Sequence, residues 1–160
     1  MIGADLLKRQ MLAAAVGMGI LAQGAFPVVR DGNAEAVIVI PQTPTAAERF
    51  AATELQARLR EMTQTELPIV TGSVAPEQSA FILGRHPENA DVIAEFNARY
   101  PNAYDGFAVV TAGNRAHLAS GRSAVSLVWA VWEWLEQHDV DFLMPGKYGR
   151  YIPRHSTVTA

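Results

Sequence analysis

One stretch constrains this chain more than any other: Ser123-Ala124-Val125-Ser126-Leu127-Val128-Trp129-Ala130-Val131-Trp132-Glu133-Trp134-Leu135-Glu136. Ala, Leu and Glu favour helix, no Pro or Gly interrupts before His138, and the Ser123 hydroxyl is placed to cap the first turn. Val125, Val128, Trp129, Trp132 and Leu135 recur at helical spacing on one face, and Leu127, Val131 and Trp134 form a second apolar face beside it. A helix that is apolar nearly all round is buried on more than one side, in its own domain or against a partner. Indoles can also stack on sugar rings, but these three sit among apolar neighbours, so Trp129, Trp132 and Trp134 are expected in a core or a domain interface.

A chain of 160 residues, 49% hydrophobic and 18% charged, has enough apolar material for one globular domain with a real core. The net charge of -3 comes with mixed signs and no basic stripe, which argues against a nucleic-acid partner and against strong attraction to a membrane surface. With no cysteine, disulfides, thiolate metal sites and a Cys nucleophile are excluded.

The first residues read as an address. Lys8-Arg9 precede an apolar, Ala- and Gly-rich run from Met11, and small residues flank Gln23 before Ala25, the pattern of a bacterial export signal. The run is too short to cross a bilayer, which takes about 20 apolar residues. Lys8-Arg9-Gln10-Met11-Leu12 is also similar to a twin-arginine signal with Lys in the first position, so the general secretory and twin-arginine routes both stay open. We therefore expect an export signal over 1–26, a periplasmic or secreted product, and a folded domain over 27–160.

Beyond Pro27 the Asp31-Gly32-Asn33 turn leads into a β-branched strand over 36–40 stopped by Pro41. Thr43-Pro44-Thr45 opens a helix over 46–62, where Ala51, Leu55, Leu59 and Met62 form the apolar stripe and Arg49, Thr53, Gln56 and Arg60 lie opposite; its charged residues read as a solvated surface. A strand over 67–70 belongs at a sheet edge because Pro68 cannot donate to a ladder. A loop over 71–78, a strand over 80–83 closed by Gly84 and a helical stretch over 87–100 follow. Strands over 107–111 and 116–119 make a hairpin, the Trp-rich helix comes next, and a strand over 140–144 precedes a closing strand pair around 150–152 and 157–159. Helices that alternate with strands, some in hairpins, predict an α+β sandwich, a mixed sheet with two main helices on one face.

The residues suggest little chemistry. His86, His117, His138 and His155 fall on different elements without an HExxH pair, and Glu133, Glu136 and His138 do not converge on a helix. Asp105, Asp139, Asp141 and Glu133 show no spacing that marks a glycosidase pair, and phosphate-binding glycine loops and a GxSxG elbow are absent from the sequence. No catalytic residue, metal site or cofactor is therefore assigned. Gly84-Arg85-His86 directly after a strand puts Arg85 and His86 at a possible pocket mouth, and Tyr104 and Tyr148 are loop aromatics able to meet a glycan.

With those residues in view, the segment 36–159 resembles the small domain that precedes the catalytic barrel in bacterial β-N-acetylhexosaminidases of glycoside hydrolase family 20 and in α-glucuronidases. It is also similar to the N-terminal domain of large proteins from glycan-degrading bacteria. The resemblance rests on Ile38-Val39-Ile40-Pro41, the helix from Glu48 to Met62-Thr63, Leu67-Pro68-Ile69-Val70, Phe81-Ile82-Leu83-Gly84-Arg85 and Asp105-Gly106-Phe107. Ala119-Ser120-Gly121-Arg122, the run from Trp129 to Glu136 and Phe142-Leu143-Met144-Pro145-Gly146 continue it in the same order.

The resemblance implies a sheet with two helices on one face, likened to zinc proteases but without their metal site. It also implies a non-catalytic domain whose acid, base and substrate groups lie on a following barrel, so that this chain is a gene fragment or a truncation. The expected partner is that catalytic barrel, with glycan as a second possibility. A stand-alone carbohydrate-binding module is the alternative, and an independent hydrolase with a metal among the histidines is a third.

Overall fold

The computed structural model of the protein describes residues 25–142 and 149–160. Its centre is a five-stranded sheet built from β3 (Ala36–Ile40), β4 (Ile69–Thr71), β5 (Ser79–Leu83), β6 (Phe107–Ala112) and β7 (Arg115–Ser120) in the order β4-β3-β5-β7-β6. The first four strands of that order run parallel, and β6 closes the sheet by pairing antiparallel with β7. β4 is an edge strand as expected, but it begins at Ile69, after Pro68, whose carbonyl accepts the Ile38 N–H at 2.9 Å.

Because side chains alternate across a strand, each sheet face collects its own apolar set. Ile38, Ile40, Phe81, Leu83, Val109, Ala116 and Leu118 face helices α1 (Ala46–Thr63) and α3 (Ser126–Glu136), and this is the main core. A smaller helix, α2 (Ala90–Arg99), entered through a 3-10 turn at Pro87–Asn89, lies on the other face, where Val92 and Phe96 meet Ala108, Val110 and Ala119. The architecture is an α+β sandwich with a mixed sheet and the two longer helices on one face, the class the sequence predicts.

Helix α1 starts where Thr45 and Glu48 make a capping box, each side chain bonding the other's backbone N–H. Its stripe of Ala51, Leu55, Leu59 and Met62 is buried as expected. Two of its charged residues are not on a solvated surface. Glu48 and Arg58 are buried, and Arg58 is held between Glu54 at 3.0 Å and Glu61 at 2.5 Å, which satisfies the desolvated guanidinium.

Three further expectations need correction. Helix α3 begins at Ser126, and Ser123 makes no cap: the Ser126 hydroxyl instead donates to the Ser123 carbonyl at 2.7 Å and the Gly106 carbonyl at 3.0 Å. The two closing strands do not pair with each other. β9 (Arg150–Tyr151) pairs with β8 (Asp141–Phe142), and β10 (Val158–Thr159) pairs with β1 (Pro27–Arg30), whose other neighbour is β2 (Asn33–Ala34). Finally, the folded body includes Phe26, whose ring lies 6.2 Å from Phe81. Val28 and Val29 are fully buried, so the pairing of β1 with β10 is driven by apolar burial that a four-residue strand beginning with Pro hardly announces. The expected export signal as far as residue 24, and the positions beyond Phe142 as far as Tyr148, lie outside the described residues.

Candidate functional site

In the sheet order the chain leaves β3 toward β4 on one side and resumes at β5 on the other, with α1 and α2 on opposite faces. In sheets of this kind, ligands bind outside the carboxyl ends of the strands, near such a reversal. Here the position between β3 and β5 is filled by Glu48. Its Oε1 accepts the backbone N–H of Arg85 at 2.9 Å, and a Cβ on Gly84, where φ is +69°, would come within 2.4 Å of the same oxygen. The open space lies one strand over, beyond β5 and β7.

That space is a cleft of about 400 Å³ between the loop after β5, one side of α2 and the loop after β7. Arg85 and Arg122 stand at its two loops, and Pro87, Ala90 and Ile93 give it an apolar wall. The Arg85 Nη2 donates to the Arg122 carbonyl at 3.2 Å, which ties the two loops together. Asn97 also lines the cleft, and its Oδ1 is shielded from solvent without a partner.

His86 borders the cleft but is a strut rather than a ligand group. Its ring is buried, its Nδ1 accepts the Glu88 N–H at 3.2 Å, and its Nε2–H donates to the Gly72 carbonyl at 2.8 Å, so a single neutral tautomer satisfies both nitrogens. Tyr104 is 66% exposed on a loop whose backbone carbonyl accepts from Ser123 N–H at 3.0 Å, one residue from Arg122. The structure thus brings Arg85, Arg122 and the Tyr104 loop to one end of the sheet; Tyr148 lies outside the described residues.

A second polar group, not expected from the sequence, sits on the α2 face of the sheet. Asn89, with no exposed surface, donates its amide to the carbonyls of Ile82 at 3.0 Å and Gly84 at 2.8 Å, leaving its Oδ1 to accept from His117 Nδ1–H at 2.8 Å. Burial pushes the His117 imidazole below its ordinary value of 6.5; the Glu88 carboxylate opposes that shift, while Arg115 and His86 add to it. Arg115 pairs with Glu88 at 3.0 Å and bonds the carbonyls of Gln78 and Ala75, which straps the preceding loop over the sheet. His117 is bonded to the Asn89 side chain, Asn89 to backbone carbonyls, and Arg115 to backbone carbonyls and Glu88, so the arrangement serves as internal bracing. An Asn two residues into a 3-10 turn gives no sequence signal of this role.

The three tryptophans divide. Trp134 is 1% exposed, edge-on to Phe81 at 4.8 Å and stacked on His138 at 3.8 Å, so it has no surface to offer a partner. Trp132 is half-buried against Phe142 at 5.6 Å. Trp129 is 42% exposed, one helical turn from Val125 at 61%. The His138 ring lies between the Trp134 carbonyl, 2.7 Å from Nδ1, and the Thr159 carbonyl, 2.8 Å from Nε2, and a neutral ring donates to one of the two, at the junction of β10 and the end of α3.

Among the described residues no three His, Asp or Glu side chains stand together as metal ligands. No helix among them is long and apolar enough to cross a membrane. No protein-family model matches the chain, and no curated protein matches it significantly.

Proposed function

We propose that this chain is a non-catalytic accessory domain of an exported bacterial glycoside hydrolase, active in glycan degradation through a catalytic barrel against which it packs. The observation that carries the reading is the Val125–Trp129 pair. On a helix whose other faces are buried, a large aromatic and a β-branched residue one turn apart are left in water. Phe50, 57% exposed, adds to the same helical layer. Helices α1 and α3 follow the parallel strands β3 and β7, so both begin at the same end of the sheet; Val125 immediately precedes α3, Trp129 is its fourth residue, and Phe50 is the fifth residue of α1. Exposed apolar side chains gathered at one end suit burial against another domain. The α+β sandwich with two helices on one face agrees with the family resemblance drawn from the sequence.

The isolated chain is expected to show no turnover of aryl glycosides. The proposal expects a catalytic barrel to be encoded next to this chain, and that barrel mixed with the chain should form a complex that Trp129→Ser together with Val125→Ser weakens. Hydrolysis by the isolated chain that a single carboxylate substitution abolishes overturns the proposal, as does a complex indifferent to both substitutions.

A further inference from the structure

We infer that the cleft beyond β5 and β7 is a binding site for an organic carboxylate with a compact apolar body. This does not rest on the accessory-domain reading. Arg85 and Arg122 are both exposed at the cleft, and the bond from Arg85 to the Arg122 carbonyl holds the two residues together. Among the described residues neither guanidinium has a carboxylate within ion-pair distance, although the chain carries a net charge of -3. The acids closest in sequence do not serve: Glu88 is taken by Arg115, and Asp105, exposed on the adjoining loop, pairs with neither arginine. Glu48 meets Arg85 only at its backbone N–H, and two cationic side chains lining one cleft with no carboxylate paired to either guanidinium among the described residues favour an anion there.

The rest of the lining selects the kind of anion. With Oδ1 shielded, the polar atom Asn97 can offer the cleft is its amide nitrogen, a further donor. Apart from the His86 ring, whose two nitrogens are already bonded to Gly72 and Glu88, the other side chains there are apolar, chiefly Ala90 and Ile93. Donors on one side and methyl groups on the other fit a ligand with acceptor oxygens at one end and a hydrophobic body at the other. A planar carboxylate matches the guanidinium fork, and a volume of about 400 Å³ accommodates a six-membered ring.

The test uses the whole chain and three probes at constant ionic strength: benzoate, benzamide and inorganic phosphate, read by shifts of the backbone amides of residues 85–97 and 121–123. Benzoate should saturate those shifts at millimolar concentration. Benzamide, which lacks the charge, and phosphate, which lacks the body, should each bind at least about tenfold more weakly, the scale of one charge-assisted hydrogen bond. Arg85→Gln with Arg122→Gln should cost benzoate at least about the same factor. Ala90→Glu, at an exposed position in the first turn of α2 where an acid suits the helix, should abolish binding with the fold intact. Benzamide or phosphate binding as tightly as benzoate overturns the assignment. So does saturation unaffected by either variant, or no saturable binding.

Discussion

Glu48 joins the start of α1 to the exit of β5: one carboxylate oxygen accepts the N–H of Arg85 at 2.9 Å while the other accepts the N–H of Thr45 at 2.8 Å. A side chain pinned at both oxygens cannot step aside, and this gives Gly84 its identity. Alanine there would take a left-handed backbone conformation and drive its methyl into the carboxylate. Gly84→Ala should cost about 2 to 4 kcal/mol, the strain plus one or two broken hydrogen bonds. Urea denaturation measures it, and a loss under about 0.5 kcal/mol would show that the carboxylate is not held as described.

The tryptophans should separate sharply in a stability measurement. Trp134 packs between Phe81 and His138 in the core, so Trp134→Ala should cost about 3 to 5 kcal/mol. Trp129 is partly in water, and Trp129→Ser should change stability by no more than about 1 kcal/mol while reducing binding of a hydrophobic dye. Equal losses at the two positions would contradict the division.

His117 predicts a pH dependence. Its folded-state pKa is lowered by burial, with Glu88 opposing and Arg115 and His86 reinforcing, so the unfolded chain takes up the proton first as pH falls. The stability present above pH 6.5 should therefore decline as pH drops from 6.5 through the lowered value, then level off for this group. His117→Gln, which can still donate to Asn89, should flatten that part of the curve in pH-dependent thermal melts. An unchanged slope would remove His117 as its source.

His138 is the fastener between α3 and β10. In His138→Ala the stacking on Trp134 and both carbonyl contacts disappear. The amide of Ala160, bonded to the Phe26 carbonyl at 2.9 Å, should then exchange with solvent about tenfold or more faster, while amides in β5 change little. Uniform acceleration across the sheet would point to global destabilisation instead.

The layers of the fold were legible because they rest on periodicity. The stripe Ala51, Leu55, Leu59, Met62 and the β-branched run of β3 have little choice but to bury themselves together. What stayed hidden depends on contacts distant in the chain. The partners of β9 and β10 are short strands whose register no local pattern encodes, and Asn89 acts only because β5, β7 and the following turn converge on it. Gly106 reads as a turn residue in Asp105-Gly106. Its stronger constraint is Phe96, whose ring would lie 2.2 Å from a Cβ there. The site was half visible: Arg85 follows a strand directly, whereas Arg122 enters only when β5 and β7 are known to be parallel neighbours.

The antiparallel pairing of β1 with β10 sets Pro27 opposite Thr159, so the first and last described strands lie side by side. Tension applied through residues 26 and 160 would load the ladder end-on and part its bonds one after another, leaving the five-stranded sheet for later. The same adjacency means that a short glycine tether from Ala160 to Phe26, with new ends cut at the Gly113 turn between β6 and β7, should give a permuted chain that still folds.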